Sequence, residues 1–153
     1  MELENKKYII VEIIPTYSTS DKGFIAQISA LKLDGIKLLD RFDYRINKDL
    51  IENDYVKSML NYDNDSFTYL DNKEEIKDKF KEWIEELPLL LLDNTYTLDY
   101  FKDIKNNKEL VYDYLDMEYN NEVFNNLLSK YNLEPSDHLV DLVYEAIINE
   151  SNK

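Results

Sequence analysis

The stretch GFIAQISALKLDGIKLLDRFDYRI, residues 23 to 46, constrains the fold more than any other part of the chain. Its first half is an apolar strand pattern bounded by Gly23 and the turn Asp34-Gly35. In the second half Ile36, Leu38, Phe42, Tyr44 and Ile46 alternate onto one face and leave Arg41, Asp43 and Arg45 on the other. A tight Asp-Gly turn between two such runs predicts a hairpin. The preceding run YIIVEIIPT, from Tyr8 to Thr16, predicts a third strand over residues 7 to 14, completing a half-covered antiparallel meander. Within that run Glu12 is the one acid among apolar neighbours. A carboxylate there needs an ion pair, a hydrogen bond or a cation to offset its desolvation.

Downstream the period changes. Polar, irregular sequence runs through NYDNDSFTYLDN and gives way to a helix from about Lys73, for which Asn72 and Glu75 suit a capping box. Its apolar stripe is Ile76, Phe80, Trp83, Ile84 and Leu87. Pro88 ends it, and PLLLL has the unbroken apolar character of a central strand covered on both sides. TYTLDYFKDI predicts a helix start, ELVYDYL a fifth strand, and NNEVFNNLLSKYN a helix with Val123, Phe124, Leu127, Leu128 and Tyr131 inward. The final helix carries Leu139, Leu142, Val143, Ala146 and Ile147, capped by Ser136 or Asp137. The pattern predicts one α/β domain over residues 1 to 153, a mixed sheet flanked by helices, without repeat or linker.

Composition narrows the chemistry. Disulfides and thiolate metal sites are excluded because the chain has no cysteine. With one histidine, carboxylates are the ligands left for a metal, and they favour hard ions such as magnesium or manganese over zinc. The net charge of -14, from 18 basic against 32 acidic residues, disfavours tight nonspecific nucleic-acid binding and suits a basic protein partner or simple solubility. No run is long enough for a membrane span and the start MELENKKYII has too short an apolar segment for a signal peptide, so the expected location is the cytoplasm.

The order of three antiparallel strands followed by alternating helices and strands resembles the ribonuclease-H-like fold, and the whole chain is similar to the DnaQ-like, DEDD-type 3′-5′ exonucleases. VEIIPT stands where that family has Asp-x-Glu-Thr, WIEELPLLLLDNTYTLDYF resembles its second segment, and FNNLLSKYNLEPSDHLVDLVYEAI its last. The resemblance implies two divalent ions held by a carboxylate cluster, activating a water and stabilising the leaving oxygen. It places Glu12, Asp99 and Asp141 at metal positions, Thr16 and Asn94 at substrate-binding positions, and His138 near the general base.

Each motif departs from the pattern. Glu12 replaces the first aspartate and Ile14 stands at the second acid. Aligning Asn94 and Phe101 puts Leu98 at the third acid, whereas a shift of one residue offers Asp99. The base histidine belongs five residues before Asp141, at Ser136, while His138 is three before it; the tyrosine of the family's other branch would fall on Asp137. Two arrangements follow. In one, Glu12, Asp99 and Asp141 converge and hold a single magnesium or manganese ion weakly, with His138 nearby. In the other, Glu12 sits at the rim reaching solvent or a lysine, Asp99 serves a first helical turn, and Asp141 lies on a solvated flank with His138 and Glu145. The expected function is a degenerate exonuclease-like domain acting as a binding or regulatory module; the alternatives are an active metal-dependent 3′-5′ exonuclease, or an acidic inhibitor that occupies a partner's basic nucleic-acid channel. Arg41 and Arg45 suit local ion pairing with Asp40 and Asp43 more than phosphate binding. Stacking of bases on the 13 tyrosines is the weaker use of residues that suit core and rim.

Overall fold

The computed structural model describes residues 6–17, 19–60, 66–91, 99–101, 110–112, 129–130 and 139–151. They form a mixed α/β sheet flanked by helices. The strands are β1 (Lys7–Pro15), β2 (Ile25–Asp34), β3 (Lys37–Ile46), β4 (Thr68–Leu70), β5 (Leu89–Leu91) and β6 (Leu110–Tyr112). Their spatial order is β4-β3-β2-β1-β5-β6. β1, β2 and β3 are antiparallel neighbours, while β5 runs parallel to β1, β6 parallel to β5, and β4 parallel to β3.

The predicted meander and the central leucine strand are therefore present. Gly35 makes the turn at φ 62°, the positive value that a two-residue hairpin loop demands, and Tyr8 donates its hydroxyl to the Gly35 carbonyl at 3.0 Å. β5 is buried throughout, as a strand between two others with helices on both faces must be.

One face of the sheet carries Ile9, Val11 and Ile13 with Ile28, Ala30, Phe42, Leu89 and Leu91. It is covered by α2 (Glu75–Ile84), whose Ile76, Phe80 and Ile84 are fully buried there, each contributing about 2 kcal/mol or more by removal from water. The predicted helix thus starts two residues late. Asn72 does serve its first turn, since its Oδ1 accepts from the Glu74 N–H at 2.9 Å and its carbonyl from the Glu75 N–H at 3.2 Å. The opposite face carries Tyr8, Ile10, Leu31, Leu33 and Leu90 under Val140, Val143 and Ile147 of α3 (Leu139–Ser151).

Residues 47–60 and 66–70, which follow β3, form more regular structure than their polar sequence predicts. They hold the short helix α1 (Asp54–Met59), capped by Asn53 Oδ1 accepting from Tyr55 and Val56, and the edge strand β4. A bulge between β1 and β2 at Ile14/Pro15 turns Ala26 and Ile14 toward Ile51, Val56 and Leu60, so this end of the second face is covered. The half-covered meander is corrected accordingly: Arg45, expected on an open face, is 2% exposed. The helix expected over residues 120 to 132 lies mostly outside the described residues, as do the caps Ser136 and Asp137. Among the described residues no helix is long and apolar enough to cross a membrane.

Candidate functional site

The strand register explains Glu12. On the face covered by α3, three rows run across β1, β2 and β3: Ile10 with Leu31 and Arg41, Glu12 with Ser29 and Asp43, and Ile14 with Gln27 and Arg45. Glu12 is therefore the β1 member of a polar row. Its neighbour Ser29 is fully buried and donates its hydroxyl to Asp43 Oδ1 at 2.7 Å. The half-buried Glu12 lies toward the end of β1 where the apolar cover by α3 gives way.

Arg41 organises the open side of this polar strip. Its Nε donates to Asp43 Oδ2 at 3.0 Å, and its two terminal nitrogens donate to Asp141 at 2.7 and 3.0 Å. The bidentate fork onto Asp141, first among the causes, raises the guanidinium above its already high ordinary pKa, so the cation persists at every physiological pH. Asp141 stands in the first turn of α3, where its negative charge also suits the helix dipole. Of the two uses weighed for the arginines, ion pairing with a near acid describes Arg41; the partner on α3 is an addition that sequence separation hid.

Arg45 occupies the third row. Its Nε and one terminal nitrogen both donate to Gln27 Oε1, and its guanidinium carbon lies 4.0 Å from the Phe67 ring centroid. That bonding orients the Gln27 amide and leaves its buried Nε2 without a hydrogen-bond partner among the described residues.

Asp99 serves a different device. Its Oδ2 accepts from the Ser20 N–H at 2.6 Å, and the adjacent Tyr100 hydroxyl lies 2.6 and 2.9 Å from the carbonyls of Tyr17 and Thr19. Tyr100 and Phe101 belong to the core on the α2 face, opposite α3. Thr16 is buried; its Oγ1 accepts from the Phe24 N–H at 3.0 Å and its carbonyl from Asn53 Nδ2 at 2.7 Å. Gly23 closes this loop at such short range that a Cβ there would stand 2.5 Å from Thr16 Oγ1 and 2.9 Å from the Tyr17 nitrogen. Asp99, Tyr100 and Thr16 thus strap residues 16–17 and 19–24 against the body of the domain.

The structure brings Glu12, Asp43 and Asp141 to one side of the sheet and ties Asp99 to the loop instead. Among the described residues no group of three or more His, Asp or Glu side chains is placed to hold a metal ion. Asn94 and His138 lie outside the described residues.

A cavity of about 680 Å³ opens beside the strapped loop, between Thr16, Tyr17 and residues 20 to 24 on one side and Leu50, Glu52 and residues 71 to 74 on the other. Sequence reasoning singled out Thr16 here and missed the acids opposite. Glu52, in the stretch after the predicted third strand, and Glu74, in the first turn of the predicted helix, look like any other surface acid in the sequence.

No protein-family model matches the sequence, and no curated protein is significantly similar to it.

Proposed function

We propose that this chain is a ribonuclease-H-like domain of the DnaQ type in which cation-dependent cleavage has been given up and the scaffold serves as a protein-binding or regulatory module. The observation that carries the reading is the Arg41 fork on Asp141. The acid that aligns with the family's last metal ligand is matched by a guanidinium of its own chain, and Ile14 supplies no ligand at the second position. Support for the fold assignment comes from the order β3-β2-β1-β5-β6, antiparallel up to β1 and parallel beyond it, with α2 and α3 on opposite faces. The balance of 32 acids against 18 bases supports a protein rather than a nucleic-acid partner.

The test is a gel assay with 5′-labelled single-stranded DNA and RNA in magnesium or manganese. Intact substrate over long incubation is the expected outcome. A metal-dependent ladder shortening from the 3′ end, abolished by Asp141→Asn, would establish the exonuclease instead.

A further inference from the structure

We infer that the cavity between the strapped loop and the start of α2 is the docking site for a basic, amphipathic segment of another protein. This rests on the binding-module reading above and names its contact surface.

The cavity, at about 680 Å³, has the size of a genuine binding cleft. Its lining combines two kinds of group. Tyr17, Phe24 and Leu50 supply apolar surface, and Tyr17 and Leu50 are 44% and 40% exposed. Asp21, Glu52, Asp71 and Glu74 supply four carboxylates against the two ammonium groups of Lys22 and Lys73. The Glu52 and Glu74 side chains have no ion pair among the described residues. The Asp21 carboxyl is held below its ordinary pKa, chiefly by its hydrogen bond with Thr19. Lys73 places its Nζ 5.4 Å from the Phe24 ring centroid within the same wall, so the carboxylates outnumber the cations there without excluding them.

The exposed apolar surface continues next door. Tyr55 and Met59 are exposed on α1, and the cap of that helix, Asn53, is bonded to the carbonyl of Thr16 in the cavity wall. Four of the six large exposed apolar side chains of the described residues, Tyr17, Leu50, Tyr55 and Met59, thus belong to this end of the molecule. A partner segment with leucine-like residues on one face and lysines or arginines beside them meets both features: the cations enter the mainly polar cleft and reach Glu52 and Glu74, the apolar face lies on the exposed Tyr17 and Leu50 side chains, and Tyr17 offers a ring face to a cation. A nucleic-acid strand would find the aromatic rings but meet the carboxylates with its phosphates.

The experiment measures binding of a fluorescein-labelled helical peptide of leucine and lysine to the full chain by anisotropy, beside single-stranded DNA of similar length. Glu52→Gln/Glu74→Gln removes two rim charges, and Glu82→Gln/Glu86→Gln removes the same charge near the far end of α2. The rim pair is expected to weaken peptide binding about tenfold and the distal pair less than about twofold, both proteins remaining folded, with the rim pair melting slightly lower because Glu74 occupies the N-cap of α2. Tyr17→Ala is expected to weaken it by a further several-fold. Equal losses from the two pairs would reveal attraction by net charge alone and overturn the proposal, as would DNA binding tighter than the peptide. Nuclease activity in the preceding assay would overturn the module reading but leave localised peptide binding standing.

Discussion

Arg41 on β3 and Asp141 on α3 face each other across a sequence separation of 100 residues through two parallel hydrogen bonds, at 2.7 and 3.0 Å. The fork fastens the first turn of the last helix to the third strand, where the apolar contacts of Val140 and Val143 leave off. Both side chains are about one third exposed, at 37% and 34%, so solvent screens the pair and its contribution is about 1 kcal/mol. Arg41→Met, which keeps the stem, should lower the urea midpoint accordingly. A double-mutant cycle with Asp141→Asn should show coupling of about 0.5 kcal/mol or more that shrinks in high salt. Zero coupling would mean that α3 is held by its apolar face alone. The raised guanidinium pKa adds no pH dependence near neutrality: that stabilisation is complete below the ordinary arginine value and is lost only as pH rises through the higher folded one.

Glu85 ends α2 at φ 55° and ψ -123°, a region that side chains with a Cβ avoid and glycine tolerates. Its carboxylate partner is Lys32, at 3.1 Å, but the carboxylate is largely exposed and Lys32 also donates to the Trp83 carbonyl at 2.7 Å. Relief of strain should therefore exceed the loss of that pair. Glu85→Gly is expected to stabilise the fold by about 1 kcal/mol, read as a higher melting temperature; a lower one would mean that the ion pair outweighs the strain.

Burial pushes the Tyr100 hydroxyl above its ordinary pKa, and the charges of Asp99 and Asp21 add to the effect. A group whose folded pKa is raised contributes stability that is full below its unfolded value and is lost as pH rises through the folded value. The window opens at about pH 10, the unfolded tyrosine value. A phenolate there would face the Tyr17 and Thr19 carbonyls that the hydroxyl now serves. Wild-type stability should fall above that pH, and Tyr100→Phe should remove part of the fall while costing about 1 kcal/mol at neutrality through the lost hydrogen bond. Parallel alkaline profiles for the two proteins would assign the fall to other groups.

Strand identity was legible because the apolar runs and the Asp34-Gly35 turn depend on local chemistry. The single-face alternation expected over residues 36 to 46 is corrected: Phe42, Tyr44 and Ile46 face α2, whereas Leu38 packs with Leu33 on the α3 face. Register was not legible. Counting back from the turn pairs Asp34 with Lys37 and Leu33 with Leu38, but the ladder shifts at Lys32/Leu33, and only after that shift does Ser29 oppose Asp43. The row that accommodates Glu12 depends on that bulge, which no residue type announces. α1 escaped notice because its one buried residue, Val56, gives no periodicity to read. The Asp99 bond to Ser20 and the Arg41 fork join segments distant in sequence, so the acids could be nominated as site residues but their partners could not.

The chemistry of the polar strip leads to a prediction about metal. Glu12 and Ile14 are two residues apart on β1 and belong to successive rows on the face where Arg41 meets Asp43 and Asp141. A divalent ion entering this strip would have to displace a guanidinium that already neutralises two carboxylates, and Ile14 offers it no oxygen. Wild-type affinity for manganese is accordingly expected to be millimolar or weaker, on the order of the weakest protein sites. Ile14→Asp supplies a ligand but leaves the guanidinium in place, so alone it should change the affinity by less than about threefold. Ile14→Asp combined with Arg41→Met should tighten it by about tenfold or more, because the restored ligand and the freed Asp43 and Asp141 then act on one ion. Titration calorimetry with manganese, beside circular dichroism to confirm folding, reads each step. Tight binding by the wild type would refute the account of Arg41 as the resident cation, and equal gains from Ile14→Asp with and without Arg41→Met would show that the arginine plays no part in excluding metal.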